Sequence, residues 1–589
     1  MKNYLLFIID SLNYSHVKES DIELMPFLRD LERDGLSCNN MYSQAPYTEA
    51  AVMDIYCGQN VLDHGGYFFR FKDTPLTIFE AMKDKGYTTF YNSYQPQCHP
   101  SSLRRGVDYL YYNVGYDQAA LWSYRLSHFA DLLKKNEMKD DDYNRLFELL
   151  DDNFNEWLHF IDDIENDDIS VNMIKGNASA YNAKEIKEKV LNEKETFDND
   201  KKSYIDELLN TGYGHRLFKI PAYNQDYKIK NRNFIIDTGK DLKPLMKKIK
   251  HMDFKLNTKN AFASIAKGPF NKLGSFIKNP GKGTAKDFAK AAYYSLNYLV
   301  DTDLNQRIAS NYDSFKNAPS ARTHIKHYID WAIEHKNDEK PHFACVHIDD
   351  IHNPEIFFTY DSEDRDLINK EKQDAYDLLR EIPNEYYGSL SHDLSLRYID
   401  GVIKFLYDEL EKNGMLDNTC IAICADHGFS FSGNPIRDSF VINLYLENYN
   451  IPFVVTGSDK KGRIDYFCSS KDIPETLCDL VDGKVPKEFT GRSILDKTNR
   501  EIHNLEYCGG GCPDISRRQL KIAAFDDDYF VGTLCTIDED IYKHITEIYD
   551  LKNDKGQKHN LVNKKYNKEK VDKLMSIIRQ RREIIIKQI

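Results

Sequence analysis

The chain has 589 residues, which is enough for one large α/β domain with additions or for several domains. Its formal net charge of -14 argues against a general nucleic-acid binder, and a charged fraction of 29% indicates a soluble protein. No apolar run in the sequence reaches the roughly 18 residues that are needed to cross a bilayer.

The first residues resemble a signal peptide only superficially. Their apolar stretch is short, it ends at Asp10, and no small-residue cleavage site follows it. We therefore predict a buried strand at Tyr4–Ile9 and a cytoplasmic protein. The 11 cysteines form no disulfide framework, which fits a reducing compartment.

Strands alternate with helices in residues 1–115. The run Tyr4–Ile9 is continuously apolar, as in a strand that is covered on both faces. We predict helices at Glu23–Asp34, Thr48–Cys57 and Leu76–Lys85 and a further strand at Tyr87–Tyr91. This alternation predicts an α/β fold, that is, a doubly wound, mostly parallel sheet flanked by helices.

Residues 116–340 differ from what precedes them and predict a largely helical insertion. The segment is acidic at first and becomes basic between Lys228 and Lys290, where phenylalanines alternate with lysines. The basic part is either a solvated helical face or a peripheral contact surface for anionic lipid or for an anionic polymer acceptor.

The α/β pattern returns after the insertion. We predict strands at Phe343–Ile348 and Thr419–Ala425 and, between them, an amphipathic helix at Leu394–Asn413 that Gly414 closes. Residues 341–465 are therefore expected to be the second part of the α/β domain that residues 1–115 begin. Residues 466–589 are expected to form a small C-terminal α+β subdomain that ends in a charged helix from Lys568.

Several short motifs occur in a recognisable order. Asp10 follows the first strand, Ala45-Pro46 leads to Thr48, which stands ten residues before Gly58, and Ala425-Asp426-His427-Gly428 follows a later strand. With these motifs the chain resembles the sulfatase and phosphotransferase branch of the alkaline phosphatase superfamily. Further similar segments are Val346 to Pro354, Asp472 to Leu477, Gly491 to Leu495 and Ile548 to Leu561.

The chain departs from the sulfatase pattern at the nucleophile. Sulfatases carry a Cys or Ser there, followed by an Arg, for conversion to formylglycine, whereas this chain has Thr48-Glu49-Ala50-Ala51-Val52. The Lys that sulfatases carry after the equivalent of Gly86 falls on Tyr94, and Asp10 is followed by Ser11 rather than by a second Asp. A Thr nucleophile is typical of the phosphorus-handling members, such as phosphoglycerol and phosphoethanolamine transferases and nucleotide phosphodiesterases.

The residues themselves indicate how such a site would work. A threonine hydroxyl is a poor nucleophile until a divalent cation lowers its pKa. We predict that Asp10, Thr48, Asp426 and His427 hold one such ion, Mn²⁺ or Zn²⁺, with Ca²⁺ and Mg²⁺ as alternatives. Alone, Asp10 or Thr48 would more often be a helix cap, and Asp426-His427 a turn.

His352 is the expected second catalytic residue beside Thr48, with a role in binding phosphate or protonating the leaving group. The ligand set for a second metal is incomplete. The candidates are Asp349 or Asp350 with His352 and the distant His503. One ion is therefore expected. Asp400, on a helix face, is expected to be structural.

The sequence thus predicts a metal-dependent phosphotransferase or phosphodiesterase that acts through a phospho-threonine intermediate. Its expected substrate is a phosphodiester-linked head group, small or lipid-linked, with a cell-surface glycan as acceptor by family analogy alone. The alternatives are a sulfuric-ester hydrolase that works without formylglycine and an inactive scaffold that binds polymer or lipid.

Overall fold

The computed structural model places the main sheet, its helices and a second, smaller sheet. It describes residues 1–20, 23–67, 74–93, 105–112, 129–130, 132–165, 183–211, 321–351, 390–428, 445–497, 500–508 and 515–588. The basic segment between Lys228 and Lys290 lies outside the described residues, as do His352 and Tyr94.

A nine-stranded mixed sheet forms the centre of the fold. Its order is β4-β3-β5-β1-β6-β7-β2-β8, and β9 pairs with β2 beside β8. All neighbours are parallel except β7, which runs opposite to β6 and β2. The strands are β1 Asn3–Ile9, β2 Leu36–Tyr42, β3 Thr88–Ser93, β4 Tyr109–Tyr112, β5 His342–Ile348, β6 Thr419–Ala425, β7 Asn450–Thr456, β8 Gly462–Ile464 and β9 Cys468–Ser469.

The helices of this region are of ordinary length apart from two long ones. They are α1 Tyr14–Glu19, α2 Pro26–Asp34, α3 Thr48–Cys57, α4 Ile78–Asp84, α5 Asp140–Glu165, α6 Ala183–Asn199, α7 Lys201–Thr211, α8 Ala321–Glu334, α9 Leu390–Lys412 and α10 Asp472–Asp482.

Two groups of helices pack on the sheet. In one group, α9 contacts both α2 and α8, and in the other, α3, α4 and α10 contact one another. Every residue of β5 and β6 is buried, which requires cover on both faces of the sheet. This is the doubly wound arrangement that the continuous apolar runs predict.

Between β4 and α8, helices α5, α6 and α7 contact one another. Their facing side chains are apolar or aromatic: Phe154 packs against Phe197, and Phe197 against Tyr204. The described part of residues 116–340 is therefore built of helices, and the domain boundaries drawn from the sequence stay predictions.

The C-terminal sheet is a separate antiparallel meander. It consists of β10 His503–Tyr507, β11 Leu520–Phe525, β12 Tyr529–Cys535 and β13 Ile545–Asp550, in that order. The last helix, α11 Lys568–Ile586, packs on β11 and β12. Arg581 of this helix donates to the buried Glu506 of β10 and to Asp63, so ion pairs join this unit to the main domain.

The structure confirms the predicted fold class, a mostly parallel sheet flanked by helices with a small C-terminal α+β unit. Helix α3 has the predicted bounds, and β6 does too. Strand β2, Leu36–Tyr42, was not predicted, since Asn39 and Asn40 in its middle are polar and only partly buried and interrupt the apolar pattern. Within the described residues, no helix combines the length and apolarity that crossing a membrane requires.

Candidate active site

Two carboxylates meet because two parallel strands end at the same level. Strands β1 and β6 pair in register from Asn3 with Thr419 to Ile9 with Ala425, so Asp10 and Asp426 each come one residue past the last pair. Parallel strands present their carboxyl ends at one edge of the sheet, where α/β proteins build their sites. Both carboxylates are completely buried.

Ser11 fixes the two carboxylates relative to each other. Its backbone N–H donates to Asp426 Oδ1 at 3.1 Å, and its hydroxyl donates to Asp10 Oδ1 at 2.6 Å. The residue has φ of 62°, in the left-handed region that residues with a side chain rarely adopt. Such strain occurs where surrounding contacts demand one geometry, and here those contacts are the two carboxylates.

Thr48 lies at the first position of α3, and its side chain reaches the carboxylates. Its Oγ1 donates to Asp10 Oδ2 at 3.1 Å and lies 3.2 Å from His427 Nε2. Thr48 is buried, with an exposed fraction of 6%. The positive end of the α3 dipole therefore points to the same place as the hydroxyl.

Glycines permit the close backbone approaches that hold this arrangement. Gly58 ends α3 in the left-handed conformation at φ of 62°, and a Cβ there would lie 2.8 Å from the ring of Phe489. A Cβ on Gly428 would lie 2.6 Å from the carbonyl oxygen of Glu447. Gly428 N–H also donates to Asn448 O at 2.8 Å, so the backbone directly after His427 is held in place.

The tautomer of His427 follows from its neighbours. Its Nδ1 lies 2.7 Å from Gly428 O, which can only accept, so Nδ1 carries the hydrogen. In the neutral ring, Nε2 then presents a lone pair. That atom lies 3.6 Å from both Asp10 Oδ1 and Asp426 Oδ2, at the centre of the predicted ligand set.

The electrostatics of the site call for a cation. Burial, and secondarily the negative charge of Asp10, raise the pKa of Asp426 above its ordinary value. Oδ2 of Asp426 is buried and has no hydrogen-bond partner among the described residues. Two buried carboxylates, an imidazole lone pair and a hydroxyl are a donor set for a divalent ion, so these residues fit the metal that the sequence predicts.

His347 also belongs to this cluster, and the sequence reasoning missed it as a site residue. It lies near the end of β5, and its Nε2 is 3.7 Å from Asp426 Oδ2. Neither ring nitrogen has a hydrogen-bond partner within the described ranges. Burial lowers its pKa, against the opposing effect of Asp426 and Asp10. The available signal was an imidazole near the carboxyl end of an otherwise largely apolar strand, where it pairs with Ile8 of β1.

His503 and Asp350, two of the second-metal candidates, make contacts outside the Thr48 site, as does Asp400. His503 lies in β10, against the rings of Tyr42 and Phe525. Asp350 Oδ1 accepts from the backbone N–H of Ala321, at the start of α8. Asp400 accepts from two N–H groups in the first turn of α2, which is the structural part expected of it.

The class of protein follows from the sheet, the edge site and the sequence family. The family model described as Sulfatase matches residues 2–213 and 255–483, which is more than half of the chain. The chain therefore belongs to the sulfatase family, a group of sulfatase-like hydrolases within the alkaline phosphatase superfamily. Enzymes of this superfamily use divalent metal ions.

Among solved structures, the chain is similar to the phosphonate monoester hydrolase of Silicibacter pomeroyi, at 13% identity and a TM-score of 0.47, covering 100% of this chain and 96% of that one. It is also similar to an alkaline phosphatase superfamily protein from Vibrio parahaemolyticus, at 12% identity and a TM-score of 0.46, covering 99% and 87%. The phosphonate monoester hydrolase of Agrobacterium radiobacter has 11% identity and a TM-score of 0.46, covering 100% and 96%. No curated protein sequence matches the chain.

Proposed function

We propose that this sulfatase-family protein is a metal-dependent phosphodiesterase or phosphotransferase in which Thr48 is the nucleophile. The observation that supports this most is the position of the Thr48 hydroxyl, within hydrogen-bond distance of both Asp10 and His427. A nucleophile beside proton acceptors that are themselves fixed is the arrangement that covalent catalysis requires.

The residues to hold the ion are Asp10, Thr48, Asp426 and His427, with His347 as a further candidate. Such an ion, when bound, lowers the pKa of a hydroxyl and offsets charge on phosphoryl oxygens. Ser11 keeps Asp10 and Asp426 in place through two hydrogen bonds, so the carboxylates need not reorganise.

The first chemical step forms a bond between Thr48 Oγ1 and phosphorus and breaks the bond from phosphorus to the leaving oxygen. The Thr48 proton has an acceptor in Asp10 Oδ2, 3.1 Å away. The N-terminus of α3 stabilises negative charge on the phosphoryl oxygens. The leaving oxygen takes up a proton, for which His352 is the proposed donor. In the second step, water or an acceptor hydroxyl attacks phosphorus and gives its proton to that donor, the bond to Thr48 breaks, and Asp10 returns the first proton to Thr48 Oγ1.

The choice of phosphorus over sulfur rests on Thr48 itself. Formylglycine arises from Cys or Ser in this family, and the chain has neither at this position. The substrate we propose is a phosphodiester-linked head group, and a glycan acceptor is proposed by family analogy alone. A sulfuric-ester hydrolase that uses Thr48 directly is the second candidate, because the matching family model is that of the sulfatases.

Turnover of matched aryl esters tests this function. Phosphodiester, phosphomonoester and sulfate esters are each assayed with Mn²⁺ or Zn²⁺, using wild type, Thr48→Ala and Thr48→Ser. We expect phosphodiester cleavage that Thr48→Ala reduces by at least about 10³-fold and that Thr48→Ser partly retains. A covalent phosphoryl group on Thr48, found by mass spectrometry of the quenched enzyme, would identify the intermediate.

Thr77→Ala is the matched control, because Thr77 also begins a helix but serves as a capping residue of α4. It should lower stability by about 1 kcal/mol and leave kcat unchanged. Full activity in Thr48→Ala would reject the mechanism, and preference for the sulfate ester would favour the second candidate.

A further inference from the structure

A second group of imidazole and carboxylate side chains lies outside the Thr48 site. It consists of His16 in α1 and of His392 and Asp393 in the first turn of α9, and we call it the His16 cluster. His16 Nε2 lies 2.7 Å from Asp393 Oδ1, and His392 Nδ1 lies 3.4 Å from the same oxygen. The ring centroids of the two histidines are 5.6 Å apart.

We infer that the His16 cluster is a binding site for a first-row divalent transition metal, Zn²⁺ being the ion that suits it best. One atom from each of the three side chains lies within 4.8 Å of the other two, which is close enough for a single ion to join them. Zinc accepts two imidazoles together with a carboxylate, whereas calcium and magnesium sites are built from oxygen ligands and seldom include an imidazole.

Asp393 supplies an independent reason to expect an ion. Its side chain is 1% exposed, and its ion pairs within the described part of the chain are with histidines alone. Its Oδ2 has no hydrogen-bond partner among the described residues. A buried carboxylate oxygen without a donor is costly, and a bound cation would satisfy it.

The cluster is also open on one side. His16 has a side-chain exposure of 22%, whereas His392 and Asp393 are buried. An ion held here would reach solvent past His16, so water could complete the coordination that three protein ligands leave unfilled. In the metal-free state, a hydrogen lies between His16 Nε2 and Asp393 Oδ1, and an ion would replace it.

The inference does not rest on the proposed function, since none of these residues belongs to the Thr48 site. It adds a second ion from residues that differ from the second-metal candidates Asp349, Asp350, His352 and His503.

Zinc stoichiometry of the full chain tests it. Chelator-treated protein is titrated with Zn²⁺ against a chromophoric competitor, and Co²⁺ binding is followed by its ligand-field absorption. We expect His16→Gln to bind one ion fewer than wild type, which binds two when the Thr48 site is also filled. The affinity loss at the His16 cluster should be about 100-fold or more, since even indirect support of a metal ligand contributes 10- to 100-fold.

Two further variants keep the outcome decisive. Asp393→Asn keeps the volume of the side chain and should also lose one ion, while retaining a normal circular dichroism spectrum. His559→Gln removes the histidine of an exposed pair with Asp554, a histidine with side-chain exposure of 72%, and should bind zinc as wild type does. Equal zinc and Co²⁺ binding by wild type, His16→Gln and Asp393→Asn would overturn the inference.

Discussion

The Thr48 site and the His16 cluster contain the same kinds of ligand in different settings. The Thr48 site joins two completely buried carboxylates, a hydroxyl and imidazoles, at the ends of β1, β5 and β6 and the start of α3. The His16 cluster joins two imidazoles and one carboxylate from two helices, and no hydroxyl is part of it.

This difference shows that a catalytic nucleophile needs neighbouring groups in fixed positions as well as metal ligands. Asp10 and Asp426 follow paired strands, and Ser11 fixes both of them, so the Thr48 hydroxyl faces preset groups. His16 lies on a six-residue helix and retains partial exposure. We therefore expect catalysis at the first site and binding without group transfer at the second.

Exchanging one carboxylate at each site gives the largest contrast. Asp426→Asn should reduce turnover roughly 10³-fold, at the upper end of what removing one charge-stabilising group costs, because the ion that offsets the phosphoryl charge loses a ligand. Asp393→Asn should leave kcat within about threefold, since among the described residues the hydrogen bonds and ion pairs of the Asp393 side chain are with His16 and His392 and not with the Thr48 site. Zinc analysis should show one ion in each variant. Equal loss of turnover in both would show that the two sites act together.

His347 tests whether β5 contributes to the Thr48 site. His347→Gln should lower kcat/KM by about 10- to 100-fold, as expected for a group that supports a metal ligand. His342→Gln is the control, because His342 is buried at the other end of β5 and bonds to Tyr328. It should change the unfolding midpoint but leave kinetics unaltered. Unchanged kinetics in His347→Gln would assign that residue to packing alone.

Asp54 is a buried carboxylate that, unlike those of the two sites, has no imidazole partner among the described contacts. Burial raises its pKa from 3.8 to about 8, opposed by the hydrogen bond from Ser470. The folded state therefore holds a proton that the unfolded state releases above pH 4. Stability from this group is complete at low pH and falls as the pH rises towards 8, by about 1.4 kcal/mol per unit.

Asp54→Asn cannot titrate, so its stability relative to wild type should rise by about 2–3 kcal/mol between pH 6 and pH 8. Urea unfolding at both values measures this. Asp459→Asn removes a carboxylate with 81% side-chain exposure and should leave the pH profile as it is in wild type. Parallel profiles for wild type and Asp54→Asn would contradict the prediction.

Ser11 should give the smallest effect. Ser11→Ala removes the hydroxyl that donates to Asp10 but keeps the N–H that donates to Asp426. Loss of one such bond is worth about 1 kcal/mol, so kcat should fall about fivefold. Ser15→Ala, which removes a hydroxyl bond from α1 to Asn450 of β7, should have no effect on kcat. Identical kinetics in both variants would limit Ser11 to its backbone contact.

Local sequence patterns determined several strands, the bounds of α3 and the main residues of the Thr48 site. Continuous apolar runs identify β1, β5 and β6 because a strand covered on both faces needs apolar residues at every position. The bounds of α3 follow from its small apolar residues and from Gly58, which alone tolerates the left-handed turn against Phe489. The order of motifs predicted that Asp10, Thr48, Asp426 and His427 would meet, and their side chains do so in the structure.

Only the tertiary structure decided which other side chains join them. The registers of β5 with β1 place His347 beside Asp426, and the packing of α1 near the start of α9 places His16 beside Asp393. Neither pair is close in sequence. A histidine in an apolar strand or in a short helix gives no local indication of which distant side chain it will contact. Local patterns set which elements form because they depend on neighbouring residues, whereas contacts between distant side chains depend on strand register and helix packing.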